Sequence, residues 1–204
     1  NGNAQLIHYT SAKTDAPEKR HPKNPDTPLY ILFTSGSTGD PKGVPVSNKN
    51  VAAYLDFICP RYQYGEGDRL SQTFELSFDL SVHDMMCAWT TGAALVPITG
   101  AQLLSPAKMM NALGINCWFS VPSQAVLMGK TRNLTPNALS KLRLSLFCGE
   151  ALPVTAVKAW AEAAPQSIIE NLYGPTEATI AIMVHQWKTG DDAVARRGVV
   201  PIGK

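Results

Sequence analysis

The sequence has almost no excess of charge of either sign. Its 204 residues carry 18 Lys and Arg against 16 Asp and Glu, so the formal net charge is only +2. No stretch interleaves Lys or Arg with aromatic residues, as a surface that binds nucleic acid does. The composition therefore predicts no nucleic-acid partner.

Cysteines are few and widely separated along the chain. None of the four has a Cys or His neighbour at the spacing that zinc ligands require. This pattern predicts free thiols in a reducing compartment. The four are Cys59, Cys87, Cys117 and Cys148.

Long hydrophobic runs are also missing. No window of about 20 apolar residues could cross a bilayer, and no basic-then-apolar leader opens the chain. We expect a protein without a membrane span and with a cytoplasmic location.

What the sequence does contain is enough apolar material for one core, because 45% of its residues are hydrophobic. The first 28 residues differ from the rest: they are polar and punctuated by Pro17, Pro22, Pro25 and Pro28. We therefore expect a linker or arm over residues 1–28 and a folded core over residues 29–204.

Short apolar runs alternate with helical patterns in this core. The runs predict buried strands at 29–33, 94–98, 117–121, 144–148 and 168–172. The alternation predicts an α/β fold, in which helices flank a mostly parallel sheet. Ligands of such sheets bind at the carboxyl ends of the strands, so the loops at those ends are the candidate ligand sites.

Three helices have recognisable ends in the sequence. Ser47 can cap a helix whose apolar residues share one face, and Ser105 followed by Pro106 can start another that stops at Gly114. A third is expected to open at Pro153 and to run to about residue 164.

The loop after the first predicted strand, Thr34–Gly43, contains three glycines, four hydroxyl side chains and one lysine. Glycines allow a close backbone approach, hydroxyls donate hydrogen bonds and an ammonium neutralises phosphate charge. The loop is not a Walker A motif, because Gly43 rather than Ser or Thr follows Lys42. Taken alone, it predicts either an anion site or a flexible linker.

The string Thr-Ser-Gly-Ser-Thr-Gly-Xaa-Pro-Lys-Gly at 34–43 resembles the phosphate-binding signature of the adenylate-forming superfamily. That superfamily includes acyl-CoA synthetases, luciferases and nonribosomal peptide adenylation domains. The resemblance implies that this loop holds the β- and γ-phosphates of ATP and that Lys42 is catalytic. The implied phosphate-loop residues are Thr34, Ser35, Gly36, Ser37, Thr38, Gly39 and Lys42.

A second segment, Tyr173–Thr179, follows the last predicted strand. It offers an aromatic ring, a turn, a hydroxyl and a carboxylate, which also suit a plain turn with a capping Thr. The Asn-Leu-Tyr-Gly-Pro-Thr-Glu string at 171–177 is similar to another motif of the superfamily. The resemblance implies that Tyr173 stacks on adenine, that Thr176 contacts the α-phosphate and that Glu177 binds Mg²⁺, with Asn171 and Gly174 also at the nucleotide.

The segment Gly149-Glu150-Ala151 follows the strand predicted at 144–148. A glycine beside an apolar patch lets a flat ring lie on the backbone, and in the superfamily this loop lines the adenine pocket. The alternative is an ordinary connection with a structural Glu150.

Asp79 stands at a predicted helix N-terminus, where an aspartate is commonly a cap. In the superfamily, however, the pattern Phe-Asp-Xaa-Ser-Val places an aspartate on the α-ammonium of an amino-acid substrate. The substrates of fatty-acid-activating members carry no such cation for an aspartate to pair with. The resemblance therefore implies an amino-acid substrate.

The same resemblance implies a compact substrate pocket, and the segments around it look most like those of D-alanine–carrier protein ligases. Cys148 would then help to select the D-enantiomer, whereas His83 and Leu172 depart from that pattern. His83 is equally compatible with a core histidine. The implied lining is Asp79, Leu80, His83, Phe119, Leu146, Cys148, Leu172 and Ile180.

The implied activity is the ATP- and Mg²⁺-dependent activation of an amino acid, with D-alanine favoured, as an adenylate that passes to a phosphopantetheinyl carrier protein. Superfamily members are longer on both sides, so the ribose-binding aspartate and the lysine-bearing C-terminal domain are expected outside this chain, which alone is expected to be nearly inactive. Alternatives are a nonribosomal peptide adenylation domain, an acyl-CoA synthetase that takes another small carboxylic acid, or a noncatalytic nucleotide-binding module. A phosphohydrolase is disfavoured, because no nucleophile-base pair is evident.

Overall fold

The computed structural model describes residues 24–35 and 40–203. Eight strands form within these residues: β1 (Pro28–Ser35), β2 (Pro41–Ser47), β3 (Arg69–Gln72), β4 (Ala94–Pro97), β5 (Cys117–Ser120), β6 (Leu144–Phe147), β7 (Ile168–Tyr173) and β8 (Met183–Gln186). The same residues contain five α-helices: α1 (Asn48–Tyr62), α2 (Leu80–Thr91), α3 (Pro106–Leu113), α4 (Pro122–Lys130) and α5 (Val154–Ala163). None of these helices has the length and hydropathy that would let it cross a membrane.

The main sheet has the strand order β4-β3-β5-β6-β7-β8. Its first five strands pair in parallel, and β8 closes one edge antiparallel to β7. The prediction of an α/β fold with a mostly parallel sheet is therefore confirmed. The strands β3 and β8, four residues each, were not predicted.

The prediction that residues 29–33 form a buried strand of the parallel sheet is wrong. Strand β1 instead pairs antiparallel with β2 in a separate two-stranded sheet, so residues 34–35 and 41–43 of the predicted loop belong to paired strands. One face of β1 is open, because Ile31 is 55% and Phe33 is 70% exposed. A strand with one open face and a fully buried strand can both appear in the sequence as a continuous apolar run. The sequence pattern therefore does not tell them apart.

The predicted helix ends are confirmed. Ser47 is the N-cap of α1 and forms a capping box with Asn50. Helix α3 starts at Pro106 and ends before Gly114, whose φ of +65° places it in the left-handed region that glycine favours. Helix α5 begins after Pro153 and ends before Ala164.

Two apolar cores flank the main sheet and define three layers. On one face, α3, α4 and α5 pack around Trp118 and Trp160. On the other face, α1 and α2 pack around Phe119 and Leu146. Neighbouring residues of β5, such as Trp118 and Phe119, belong to different cores because successive strand side chains point to opposite faces.

Ionic contacts fix α1 against the sheet. The Arg61 guanidinium donates to both carboxylate oxygens of the buried Glu170 on β7, and the Tyr62 hydroxyl donates to the same carboxylate at 2.6 Å. These contacts hold the end of α1 beside β7, whose last residues carry the second predicted motif. A buried carboxylate needs such partners, because losing them leaves its charge uncompensated.

Asp84 on α2 is also a buried carboxyl group, but within the described part of the chain it lacks the hydrogen-bond partners that Glu170 has. It is 1% exposed, and its Oδ2 atom has no hydrogen-bond partner among the described residues. Burial raises its pKa well above the ordinary 3.8, so folding favours the protonated acid. Stability should therefore be lost as the pH rises above 3.8, where the unfolded chain releases the proton and the folded chain retains it.

We expect Asp84→Asn to cancel this loss. The unfolding free energy of the variant minus that of the wild type should grow by about 1.4 kcal/mol per pH unit above pH 3.8, up to the folded pKa. Urea unfolding of both chains from pH 3 to 7 measures the difference. The exposed Asp56→Asn serves as the control, and a difference for Asp84→Asn that does not grow with pH would contradict the raised pKa of Asp84.

Candidate functional site

The predicted site loops lie together at the carboxyl-terminal edge of the main sheet. Strands β6 and β7 are parallel neighbours, so the loops that follow them lie side by side. Residues 149–151 after β6 are exposed, and Tyr173 at the end of β7 is 46% exposed although it belongs to a strand that is otherwise mostly buried. An exposed ring beside an open glycine-containing backbone provides a flat surface on which an aromatic base can lie.

The turn after β7 depends on Gly174. A Cβ atom at this position would lie 2.5 Å from the Cα atom of Ala181 and 2.8 Å from the carbonyl oxygen of Ile180. The backbone of residues 180–181 therefore passes directly over Gly174. The Ile182 N–H group holds it there by donating to the Tyr173 carbonyl at 2.9 Å.

The returning segment is strained at two consecutive residues. Thr179 and Ile180 have φ values of +66° and +67°, and neither is glycine. A β-branched residue in this region is a true outlier that only a strongly determined structure retains. The strain turns the Ile180 N–H group toward Asp79, where it donates to Oδ2 at 3.3 Å.

Asp79 occupies the N-cap position of α2, but its side chain makes no capping hydrogen bond. Asp79 as a whole is 8% exposed, and its carboxylate forms no ion pair within the described part of the chain. Burial raises its pKa above the ordinary 3.8, and the Ile180 N–H group partly opposes this shift. A buried carboxylate that lacks a cation is suited to receive one from a ligand.

The other predicted pocket residues are buried. None of the seven is more than 7% exposed: Leu80, His83, Phe119, Leu146, Cys148, Leu172 and Ile180. All of them except His83 belong to the apolar cluster that packs α1 and α2 against the sheet. Burial raises the pKa of the Cys148 thiol to about 12, so this residue behaves as a small neutral hydrophobe.

His83 is a core histidine. Its Nδ1 atom lies 2.7 Å from the Tyr54 hydroxyl and its Nε2 atom lies 3.1 Å from the Tyr64 hydroxyl. Burial lowers its pKa to about 3, so the ring is neutral. The ring also packs edge-on against Phe119, with centroids 4.8 Å apart. The sequence did not identify Tyr54 and Tyr64 as its partners, because these contacts join residues distant in the chain.

The pairing of β1 with β2 brings two ends of the predicted phosphate loop, Thr34 and Lys42, to the same edge. Thr34 on β1 pairs with Lys42 on β2, and β2 packs against the turn at Thr176–Ala178. Thr34 is half-buried, whereas Lys42 is exposed. The predicted residues Gly36, Ser37, Thr38 and Gly39 lie outside the described residues, as does the side chain of Ser35.

Two predicted nucleotide residues also have structural contacts. Asn171 is buried, and its Nδ2 group donates to the carbonyls of Val200 and Pro201, whereas its Oδ1 atom has no partner among the described residues. The Glu150 carboxylate accepts from the backbone and hydroxyl of Ser123 at the start of α4. The Glu150 side chain therefore has a structural contact, as the alternative of an ordinary connection predicted. Thr176 is half-buried and Glu177 is exposed, both at the open edge.

Comparisons with known proteins agree with this arrangement. The chain is 38% identical over 76% of its length to an L-proline–[L-prolyl-carrier protein] ligase of Pseudomonas fluorescens, covering 32% of that protein. It is 34% identical over 86% of its length to a D-alanine–D-alanyl carrier protein ligase of Bacillus licheniformis, covering 35% of that protein. The chain thus spans about a third of the length of these relatives.

The fold is also similar to a solved structure, the Vibrio cholerae adenylation domain AlmE in complex with glycyl-adenosine-5'-phosphate. The TM-score is 0.83 at 38% identity, over 90% of this chain and 34% of that one. Residues 3–203 match the family of AMP-binding enzymes. This match covers nearly the whole chain and agrees with the site at the sheet edge, so the chain belongs to the AMP-binding enzyme family.

Proposed function

We propose that the gene product carrying this chain activates a small amino acid, D-alanine by preference, as an aminoacyl-adenylate and transfers it to a carrier protein. Asp79 is the observation that carries the proposal. Its buried carboxylate accepts from the Ile180 N–H group beside the turn after β7 and has no cation partner among the described residues. An α-ammonium supplies the missing charge, whereas a fatty acid would leave the carboxylate uncompensated.

The nucleotide takes the open edge in this proposal. Adenine lies against Tyr173 and the backbone of Gly149–Ala151, and the buried Oδ1 atom of Asn171 is an acceptor for the exocyclic amine. Thr176 contacts the α-phosphate. The 34–43 loop, with Lys42 exposed on β2, holds the phosphates that leave.

Glu177 is the residue that would hold Mg²⁺. No group of three or more Asp, Glu, His or Cys side chains able to hold a metal occurs in the described residues. This agrees with Mg²⁺, which commonly takes one or two protein carboxylates and completes its shell with phosphate oxygens and water. When bound, the ion neutralises charge on the phosphates.

The reaction requires alignment rather than acid-base catalysis. The substrate carboxylate is already ionised, so its oxygen attacks the α-phosphorus while the bond to pyrophosphate breaks, and no proton is moved. The chain's part is to hold the amine at Asp79 and the nucleotide at the neighbouring loop, and Lys42 stabilises the departing negative charge. We propose that the phosphopantetheine thiolate of the carrier then attacks the acyl carbon: a thioester forms, the C–O bond to the phosphate breaks, and AMP leaves.

The expected size of the substrate follows from how tightly the predicted pocket residues are packed. Because His83 is held by two tyrosine hydroxyls and Phe119 packs against it, a large substrate side chain would have to displace a connected set of buried rings. Such displacement is costly in a close-packed core. D-Alanine is the best candidate, because relatives named for it match most of this chain.

ATP-pyrophosphate exchange by the gene product tests the proposal. We expect exchange with D-alanine, glycine and L-alanine, and a kcat/KM about 100-fold lower with phenylalanine. Phenylalanine exchanging as well as alanine would overturn the size argument. Exchange with fatty acids alone would favour the acyl-CoA synthetase alternative, and no exchange with any acid would favour a noncatalytic nucleotide-binding module.

A further inference from the structure

Tyr30 on β1 has an unusual hydroxyl group. Within this pair of strands, Tyr30 lies on the face of β1 that packs against the core of α1 and α2, opposite the exposed Ile31 and Phe33. Its hydroxyl oxygen is buried, yet it has no hydrogen-bond partner among the described residues. This position was not recognised from the sequence.

The neighbouring tyrosines of the same core differ from Tyr30. The hydroxyls of Tyr54 and Tyr64 contact the two nitrogens of His83, and the hydroxyl of Tyr62 donates to Glu170 at 2.6 Å. Nearly all buried polar groups in proteins have such partners, because an unpaired one loses its hydration without compensation. Among the described residues, the Tyr30 hydroxyl is therefore open to a hydrogen bond from a ligand.

Tyr30 packs against the same apolar cluster that contains Leu80, the residue after Asp79, and Ile180, whose N–H group donates to Asp79. Tyr30 and Asp79 therefore border the same part of this core. The Tyr30 pKa is raised first by burial and then by the negative charge of Asp79, so the phenol remains neutral at physiological pH. An incoming group that satisfies both must carry positive charge and more than one N–H donor.

We propose that the Tyr30 hydroxyl is a second contact for the substrate's α-ammonium, accepting one of its N–H groups while Asp79 accepts another. The inference rests on the proposed function, since it assigns the amine of that substrate. An ammonium has three donors, and one carboxylate does not use all of them. Tyr30 also lies on the strand that continues into Thr34, so a single strand joins the amine contact to the predicted phosphate loop.

Tyr30→Phe in the gene product tests this proposal. Because the hydroxyl makes no hydrogen bond with the protein's described residues, the melting temperature should not fall. The KM for D-alanine in ATP-pyrophosphate exchange should rise about tenfold, as expected for losing a hydrogen bond to a charged group, while the KM for ATP stays unchanged.

Tyr62→Phe is the matched control. It removes a hydroxyl that Glu170 does use, so it should lower the melting temperature and leave the KM for D-alanine unchanged. A Tyr30→Phe protein with an unchanged KM for D-alanine would overturn the proposal, and so would one in which both KM values rise together with a lower melting temperature. Absence of amino-acid exchange by the wild type would instead overturn the proposed function.

Discussion

Asp79→Asn is expected to lower kcat/KM for D-alanine by about 100- to 1,000-fold in the gene product. The amide keeps the size of the side chain but removes the charge that faces the substrate ammonium. Losing one partner of a buried, hydrogen-bonded charge pair costs about 3–4 kcal/mol, which corresponds to that range. ATP-pyrophosphate exchange measured against amino-acid concentration gives the value.

The same residue predicts a pH dependence. Burial raises the pKa of Asp79 above 3.8, and only the ionised carboxylate attracts an ammonium. The KM for the amino acid should therefore rise as the pH falls toward that raised pKa, while the KM for ATP changes less. Asp56→Asn, on the exposed side of α1, should behave as wild type. An Asp79→Asn enzyme with full activity would contradict the role of this carboxylate.

Gly174→Ala is expected to damage both stability and activity. The added Cβ would meet the Ala181 Cα atom at 2.5 Å and the Ile180 carbonyl oxygen at 2.8 Å, and these are backbone atoms that cannot rotate away. Overpacking of this kind costs about 1–3 kcal/mol. The forced movement would also carry the Ile180 N–H group away from Asp79, so exchange should fall along with the melting temperature.

Gly129→Ala provides the control for this glycine. Gly129 lies in α4, and a Cβ there would meet no atom within 4 Å. Alanine is the better helix former, so this variant should be as stable as the wild type or more stable by about 0.5–1 kcal/mol. If Gly174→Ala were as stable and active as Gly129→Ala, the close approach over Gly174 would be wrong.

The sequence predicted helix ends well, because they depend on residues that are close together in the chain. The capping residue Ser47 and the terminating glycine Gly114 act within one helical turn, so the ends of α1 and α3 were predictable. The loops after β6 and β7 follow apolar runs that pair as expected. Asp79 was identified by its motif, and its lack of a cation partner in the described residues agrees with the role proposed for it.

Contacts between distant residues could not be predicted in the same way. The pairing of β1 with β2 was missed because the apolar run of β1 has no polar alternation to indicate an open face. The buried contacts of His83 join α2 to α1 and to the segment that follows α1. The Tyr30 hydroxyl is known to lack a partner only once its three-dimensional surroundings are known. The strained Thr179–Ile180 pair has no sequence signal, since neither residue favours positive φ.

The most direct test of the central claim compares two acids that differ only in the amine. ATP-pyrophosphate exchange by the wild-type gene product is measured with D-alanine and with propionate under identical conditions. We expect exchange with D-alanine and at least about 100-fold less with propionate, because only D-alanine supplies the ammonium that Asp79 lacks. Equal exchange with the two acids would contradict the assignment of Asp79 and of an amino-acid substrate.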